Sequence, residues 1–428
     1  MNQVDHEAEL RHCEVEVARH FRWNFAVNVL DGAFVWFGMS FAAGSTILPL
    51  YARHFTQNAM LIGLLAAIST SGFSLPQLLA ANYVHRQPVK KRIPVNVGFF
   101  TERLPILALA ASTLLFAERA PHLALLLLFV TVTWHFVGMG LVAVGWQEML
   151  AKVFPVQFRG RLLGTAAATG TATGILGATL AAGILSRYPF PTNFAICFII
   201  ASVFTLISWG WLALTREPPL HSQSAQVPFG EYLSRLPSVL RHDHNFANYL
   251  AARVACVLSR MGIGFLTVFA VDRWGLSDAQ AGLFGAALLI GQAAANLGLG
   301  NLGDRRGHKL VLEISIMLGV LAMLCAVLAP SPLWMYLTFV AVGALLGGER
   351  LSAIAIAMEF SSPEDRPTYL GLANTVPGVF SALAPLLGAA IASAAGYHGT
   401  FLVGAAFGLL AVAILHRRVR EPRGRMVP

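Results

Sequence analysis

Six ionisable side chains lie inside apolar stretches of this 428-residue sequence, where a charge needs a partner or a function. They are Asp31, His135, Arg253, Arg260, Glu349 and Arg350. Charged groups in such surroundings are costly and usually face one another or a wet cavity. An arginine fork can hold a carboxylate or a phosphate, and a carboxyl group that leaves water can carry a proton. The residues therefore predict a site for an anionic group and a proton.

Two interpretations of these charges remain open. In the first, Asp31 or Glu349 carries the proton, and Arg253, Arg260 or Arg350 contacts the anionic group. In the second, the charges are structural: Arg260 forms a salt bridge with Glu349, and Arg253 pairs with Asp31. Both can hold, because a bridge that breaks on protonation is itself a coupling device.

Other polar and aromatic residues are weaker candidates. His135 is either a hydrogen-bonding side chain or a proton relay. Glu102 and Arg103 lie near the predicted cytoplasmic end of their segment, so we expect them to reach the membrane surface. Aromatic side chains usually pack or face lipid, but four of them could line a cavity and stack a flat ligand: Trp36, Phe37, Trp134 and Trp146.

The elements that must position these residues are membrane helices. Hydrophobic residues make up 56% of the chain and charged residues 12%, and the mean hydropathy is +0.64. A soluble chain carries about 25% charged residues. Apolar segments recur at the length of about 20 residues that spans a bilayer. They predict an all-α membrane protein with twelve spans, at 24–50, 60–82, 94–116, 122–151, 162–186, 192–214, 246–271, 279–301, 310–329, 333–358, 368–394 and 398–416.

Lysine and arginine placement predicts the orientation. With both termini in the cytoplasm, most basic residues fall in the inside loops, while the outside loops hold only Arg53, Arg119, Arg187 and Arg273. This distribution satisfies the positive-inside rule. The net charge of +9 is thus a topology signal, and we expect no nucleic-acid partner. The four cysteines have no paired spacing, so neither a disulfide nor a metal site is expected.

The segments fall into two halves, which defines the expected domains. These are a cytoplasmic N-terminal segment at 1–22, a bundle at 23–214, a cytoplasmic linker at 215–245, a second bundle at 246–416 and a basic tail at 417–428. The first segment shows no apolar signal-peptide core and could form a short surface helix before the first span.

The polar sequence GNLGDRRGHK at 300–309 predicts a short loop between two spans, because such a stretch cannot lie in hydrocarbon. A degenerate repeat of this sequence, ANYVHRQPVK, lies at 81–90, with His85 in place of Asp304. The matched pairs are Asn82 with Asn301, Arg86 with Arg305, Lys90 with Lys309, Arg159 with Arg366, Leu163 with Leu370, Gly164 with Gly371, and Asn24-Phe25 with Asn245-Phe246. Internal repeats of this kind mark many transporter folds.

The 300–309 sequence resembles the G-x-L-x-D-R-x-G-x-K/R loop of the major facilitator superfamily, and the resemblance extends over about residues 22–418. It implies two six-helix bundles around a central cavity lined by helices 1, 4, 7 and 10, which carry the six charges named first. It also implies a cytoplasmic gate of Asp304 and Arg305, with Arg86, Arg159 and Arg366 at equivalent loops. The better-kept 300–309 copy should carry more of that gate.

The expected function is secondary active transport of a small organic solute by alternating access, coupled to protons. Export of amphipathic compounds and uptake of an organic anion or sugar both remain open. We expect an integral cytoplasmic-membrane protein that acts as a monomer, without a cofactor. The alternative is a transport-inactive relative that serves as a sensor or assembly factor. An enzyme is disfavoured, because the sequence has no nucleotide-binding loop of the G-x-x-x-x-G-K-[ST] type.

Overall fold

The computed structural model describes residues 3–74, 76–85, 87–219, 243–360 and 366–421, and within these ranges it contains helices and no strands. The helices are α1 Gln3–Ser40, α2 Ile47–Arg53, α3 Ala59–Ser74, α4 Pro76–His85, α5 Leu104–Phe116, α6 Pro121–Val153, α7 Val156–Arg187, α8 Thr192–Ala213, α9 His244–Ser259, α10 Leu266–Trp274, α11 Asp278–Arg306, α12 His308–Leu328, α13 Leu333–Glu359 and α14 Arg366–Arg418. The all-α prediction is confirmed. Most of the expected linker, at 220–242, and the end of the tail, at 422–428, lie outside the described residues.

Nine helical stretches in the described part of the chain are long and apolar enough to cross a membrane. The stretch Tyr369–Arg418 contains the last two predicted segments, so ten of the twelve are accounted for. The first two predicted segments fall on α1 to α4. Helix α1 is polar at its N-terminal end, and α3 and α4 are short. The expected count of twelve is therefore supported only in part.

The chain forms two compact units. Unit 1 comprises Met1–Ala43 and Ile68–Ser224, and unit 2 comprises Gly44–Ala67 and Ala225–Pro428. In unit 1, buried residues of α6, α7 and α8 pack into a core that includes Met149, Val153, Leu162 and Leu212. In unit 2, the core joins α9, α12, α13 and α14 through Tyr249, Leu312, Leu345 and Leu372. Residues 44–67 precede the linker in sequence, yet they pack with unit 2.

The first span differs from the prediction at both ends. A single helix runs from Gln3 to Ser40 instead of a separate surface helix and a span at 24–50. No glycine or proline occurs between Gln3 and Asp31, so nothing local breaks the helix there. After the turn at 41–46, Pro49 lies in the first turn of α2, where a missing backbone N–H costs no helical hydrogen bond.

The predicted loop at 300–309 is mostly helix, so that expectation was wrong. Helix α11 continues to Arg306, and Gly307 alone separates it from α12. Gly307 has φ +94° and ψ 150°, a conformation that is essentially restricted to glycine. The basic residues at 305 and 306 lie in the last turn of α11, where cations complement the helix dipole.

The last two predicted spans are joined in the same way. Helix α14 carries both of them, and the only non-helical backbone inside it is at Gly396, with φ +70° and ψ 176°. The short loop that we expected between 394 and 398 is thus a one-residue joint. Hydropathy could not show this, because one glycine hardly changes an apolar window.

Candidate functional site

A buried carboxylate in unit 2 holds two arginines. Glu349 of α13 accepts from Arg253 Nη1 at 2.5 Å through Oε1 and from Arg260 Nη1 at 2.9 Å through Oε2. The Cys256 thiol also interacts with this carboxylate. We call these four residues the Glu349 cluster. It has two positive charges and one negative charge, so it has one positive charge in surplus.

Helix geometry explains how α9 presents this cluster. Arg253, Cys256 and Arg260 follow one another at three- and four-residue spacing, so they share one helix face. The α-helix ends at Ser259 and continues as a 3₁₀-helix over Arg260–Phe265 before α10 begins. Discontinuous helices are typical of binding sites in transporters. Arg253 and Glu349 are buried, but the Arg260 side chain stays 25% exposed.

The pairing expected between Arg253 and Asp31 is wrong, because Arg253 binds Glu349 together with Arg260. The expected bridge between Arg260 and Glu349 is present. Arg350, the next residue on α13, is exposed. Adjacent residues on a helix point about 100° apart, so Arg350 does not join its neighbour in the cluster.

A second group of buried charges lies in unit 1, and we call it the Asp31 cluster. Asp31 of α1 accepts a hydrogen bond from Ser208 Oγ of α8 at 2.5 Å and interacts electrostatically with Arg103. Arg103 also forms an ion pair with Glu102. His135 of α6 completes the cluster.

The burial of Glu102 and Arg103 corrects the expectation that they reach the membrane surface, since they are 8% and 5% exposed. Both lie in a π-helical turn, Phe99–Arg103, which follows another at Ile93–Val97 and leads into α5. π-Helical turns are rare and frequent at functional sites. In a regular α-helix, neighbours do not face each other, so hydropathy and spacing carried no signal for this ion pair.

His135 has a defined protonation pattern. Its Nδ1 lies 2.9 Å from the backbone oxygen of Glu102. A carbonyl oxygen can only accept, so Nδ1 carries a hydrogen and donates it. In the neutral ring, Nε2 then has a free lone pair. His135 Nε2 and Arg103 Nε are both buried and have no hydrogen-bond partner among the described residues.

The four candidate cavity aromatics are dispersed in the structure. Trp36 is 44% exposed and Trp134 is 39% exposed. Phe37 packs against the rings of Phe41 and Phe204. Trp146 packs on the buried core of α6, α7 and α8. They do not form a shared stacking surface.

The predicted gating residues have different surroundings. Arg86 lies outside the described residues, and the side chains of Asp304 and Arg366 do too. Arg305 is exposed in the last turn of α11. Arg159 donates to the backbone oxygens of Phe154, at 3.0 Å, and Ala151. It therefore caps the C-terminus of α6 and fixes the short turn into α7.

Sequence reasoning missed Glu217, which follows α8 and has a fully buried side chain. Its carboxylate accepts from the backbone N–H of Lys90 at 2.8 Å and of Lys91 at 2.6 Å, and from Lys152 Nζ at 2.9 Å. Lys91 Nζ donates to the oxygen of Thr215 at 2.8 Å. Burial lowers the pKa of Lys90 and of Lys91. One carboxylate thus ties together the ends of three helical segments.

A repeated tripeptide in the sequence could have revealed the role of Glu217. Arg216-Glu217-Pro218 recurs as Arg420-Glu421-Pro422. In unit 1, the Asn24 amide donates to the Arg216 oxygen at 2.9 Å and accepts from its N–H at 2.8 Å. In unit 2, Asn245 makes the same pair of bonds with Arg420, at 3.0 and 2.8 Å. The repeat of Asn24-Phe25 and Asn245-Phe246 therefore marks the same pair of asparagine–backbone hydrogen bonds in each unit. We call each pair of bonds a clasp.

Comparisons with known proteins agree on one family. Residues 249–427 match the family model of the Major Facilitator Superfamily. The chain is 28% identical over 142 residues to the niacin transporter NiaP of Acinetobacter baylyi, a match that covers 33% of this chain and 32% of that protein. It spans about a third of that relative's length. An uncharacterised MFS-type transporter of Enterobacter sp. is 25% identical over 309 residues, 68% of this chain and 71% of that protein.

Solved structures share the fold at low sequence identity. A D-xylose–proton symporter superposes with a TM-score of 0.70 at 15% identity, covering 95% of this chain and 100% of that one. A point mutant of the nucleoside transporter NupG gives a TM-score of 0.69 at 12% identity and covers 92% and 99%. At these identities, the likeness shows the architecture alone.

Proposed function

Because the chain belongs to the major facilitator superfamily, we propose that it is a secondary transporter, not an enzyme, that moves a small organic anion together with protons. It works by alternating access in the cytoplasmic membrane, with both termini inside. Asp304 and Arg305 contribute to the cytoplasmic gate, with Arg86, Arg159 and Arg366 in the equivalent loops. The Lys and Arg distribution supports the orientation.

The observation that supports an anionic substrate is the surplus positive charge of the Glu349 cluster. Glu349 neutralises one guanidinium, so a second anion is needed for charge balance in an apolar interior. Arg260 is the residue that would contact it, because its side chain is partly exposed and lies where the helix breaks. Arg253 is more deeply buried and positions Glu349.

Proton carriage is assigned to unit 1 in this proposal. Glu349 is held ionised by two arginines, so it is the poorer proton carrier of the two original candidates. Asp31 has a neutral hydroxyl as its hydrogen-bond partner and shares Arg103 with another carboxylate. Asp31 therefore remains as the candidate for the proton.

The similarity to a niacin transporter suggests the first probe. Niacin is an aromatic carboxylate, and its charge suits an arginine fork. The experiment is uptake of radiolabelled niacin and a panel of other carboxylates and sugars into proteoliposomes, with and without a pH gradient. Protein-free liposomes measure the passive entry of the neutral acids.

The Arg260→Gln substitution tests the anion contact. We expect the apparent affinity for the transported carboxylate to fall about 10- to 100-fold, since a hydrogen bond to a charged group contributes about 1.5–3 kcal/mol. Arg260→Lys should restore part of it, because lysine keeps the charge but lacks the planar fork. Arg187→Gln, at an exposed position that ends α7, is the matched control.

Two results would contradict the proposal. If Arg260→Gln binds and transports the carboxylate as the wild type does, Arg260 is not the contact. If carboxylates raise the unfolding temperature of the protein but none is transported, the sensor or assembly-factor alternative is favoured.

A further inference from the structure

Five exposed arginines lie at one end of unit 2, two in the last turn of α11 and three at the end of α14 or just after it. We call them the basic patch: Arg305, Arg306, Arg417, Arg418 and Arg420. None of the five side chains forms a hydrogen bond or an ion pair among the described residues. Their planar guanidinium groups are therefore available to an anion outside the chain.

Contacts between the end of α14 and the joint between α11 and α12 gather these arginines on one surface. The Glu421 carboxylate lies against Gly307, where a Cβ would otherwise be. Glu313 of α12 lies 3.7 Å from Lys309 and 3.6 Å from His416 of α14, so Lys309 offsets its charge. Even with Glu421 and Asp304 counted as acids beside the patch, the five arginines leave a positive surplus.

Unit 1 uses many of its basic residues differently, within its own fold. Four basic side chains of that unit donate to backbone oxygens, and one of them also pairs with Glu217: Lys90, Lys91, Lys152 and Arg159. The positive-inside rule counts all these residues alike. The side chains of the basic patch, by contrast, have no such internal contacts, so orientation in the membrane does not by itself explain them.

The basic patch lies at the depth of lipid head groups. The membrane-crossing stretches of α11 and α14 end at or beside its arginines. Exposed leucines precede the arginines on both helices: Leu297 is 75% exposed, eight residues before Arg305, and Leu410 is 49% exposed, seven residues before Arg417. Residues at these spacings share a helix face. Each helix thus presents an apolar surface that ends in an arginine, which suits an acyl chain with a phosphate above it.

We propose that the basic patch binds the phosphate groups of anionic phospholipids in the adjacent leaflet, which the proposed orientation makes the cytoplasmic one. Basic clusters directly beside a membrane helix are attracted to such lipids, and an arginine fork can hold a phosphate through two hydrogen bonds. Free phosphate or a nucleic acid would make no use of the exposed leucines on the same helix faces. The inference goes beyond transport, because lipid binding requires only that α11 and α14 cross the membrane.

Titration of the full-length protein in detergent with two lipids tests this proposal. The probes are dioleoyl phosphatidylglycerol, which is anionic, and dioleoyl phosphatidylcholine, which has the same acyl chains and no net charge. Native mass spectrometry counts the bound lipids. We expect the wild type to bind phosphatidylglycerol about 10- to 100-fold more tightly, since each basic residue near an anionic surface contributes about fivefold. Added salt should reduce this preference by screening the charges.

Replacement of the three arginines of α14 should remove most of the preference for phosphatidylglycerol. The variant combines Arg417→Gln, Arg418→Gln and Arg420→Gln. Asn245 and Asn248 bond only the backbone of Arg420 and Arg418, so glutamine leaves these contacts in place. The same three positions changed to lysine should keep most of the preference, because lysine retains the charge.

A matched control removes three exposed arginines from unit 1 in the combination Arg19→Gln, Arg22→Gln and Arg161→Gln. Two of these side chains already have partners, since Arg19 pairs with Glu16 and Arg161 lies over the Phe25 ring. This variant loses the same net charge as the glutamine variant of α14, but we expect it to bind phosphatidylglycerol as the wild type does.

Three results would overturn the proposal. The glutamine variant of α14 could keep the wild-type preference, or the unit 1 control could lose as much of it; in either case the basic patch is not the lipid site. If inorganic phosphate abolishes phosphatidylglycerol binding at constant ionic strength, the patch recognises free phosphate and not lipid. Lipid counting needs no transport, so a failure here leaves the proposed function standing, and a failure of uptake leaves lipid binding standing.

Discussion

At the scale of single residues, one asparagine side chain in each unit hydrogen-bonds the backbone that follows the last helix of that unit. The amides of Asn24 and Asn245 are matched to both the N–H and the C=O of one backbone residue, Arg216 or Arg420. An asparagine is well suited to this because its amide carries a donor and an acceptor side by side. Asn24 is completely buried, whereas Asn245 is partly exposed.

We expect the two clasps to differ in their contribution to stability. Asn24→Ala leaves the N–H and C=O of Arg216 without partners at a part-buried site and should cost about 2–3 kcal/mol. At Asn245→Ala, water can replace the lost partners, so the cost should be about 1 kcal/mol. Thermal unfolding in detergent measures both, with Gln147→Ala at an exposed position of α6 as the control. Equal effects would contradict the assignment of burial as the cause.

At the residue scale, the sequence showed which charged residues lie in apolar segments but not which of them pair. The rarity of charges in apolar helices singled out Asp31, Arg253, Arg260 and Glu349. It could not show that Arg253 binds Glu349, because the partner of a buried charge depends on which helices pack together. The burial of Glu102 was also underestimated. Its depth in the membrane depends on the residue at which the helix begins, and hydropathy defines that residue only to within several positions.

At the scale of elements, glycine joints replace two of the expected loops. Gly307 and Gly396 each reverse the chain with positive φ. At Gly307, the space where a Cβ would lie is occupied by the Glu421 carboxylate. Glu421 is the counterpart of Glu217 in the repeated tripeptide, so both units place an acid against the connection between their second and third segments.

Gly307→Ala should therefore disturb both the backbone and this contact. The φ and ψ angles alone predict a cost of about 1–3 kcal/mol, and we expect uptake to slow as well. Gly298→Ala, on the same helix, is the matched control. No atom lies near its added methyl group, and alanine should gain up to about 1 kcal/mol there. Unfolding temperature and initial uptake rate would both be measured, and a stabilised Gly307→Ala protein would exclude this account.

Element prediction from hydropathy was accurate where the bilayer sets the length. The predicted segment at 192–214 corresponds to α8 at Thr192–Ala213, and that at 333–358 to α13 at Leu333–Glu359. It failed at breaks that hydropathy does not record: the turn after Ser40, the 3₁₀ stretch from Arg260, and the π-helical turns at 93–103. Two of these three irregular stretches carry residues of the charge clusters.

At the scale of the whole molecule, basic residues predict the orientation in the membrane. Arg119 lies in the connection between α5 and α6, and Arg161 lies in the first turns of α7, on the other side of the long helix α6. The positive-inside rule puts the first outside and the second inside.

Cysteine labelling tests this orientation. In a background with the four native cysteines changed to alanine, Arg119→Cys should react with a membrane-impermeant maleimide in intact cells. Arg161→Cys should react only after the membrane is permeabilised. The reverse pattern would invert the topology and place Glu217 on the outer side.

The division into units also has a consequence for the order in which the protein is made. The contacts of Glu217 involve only earlier residues, so the ribosome completes this part of unit 1 before any of residues 243–421 exist. Residues 44–67 are synthesised early but pack with later elements: Arg53 with Asp272, and His54 with Asp278. This segment must therefore wait during translation until residues 272 and 278 have been made.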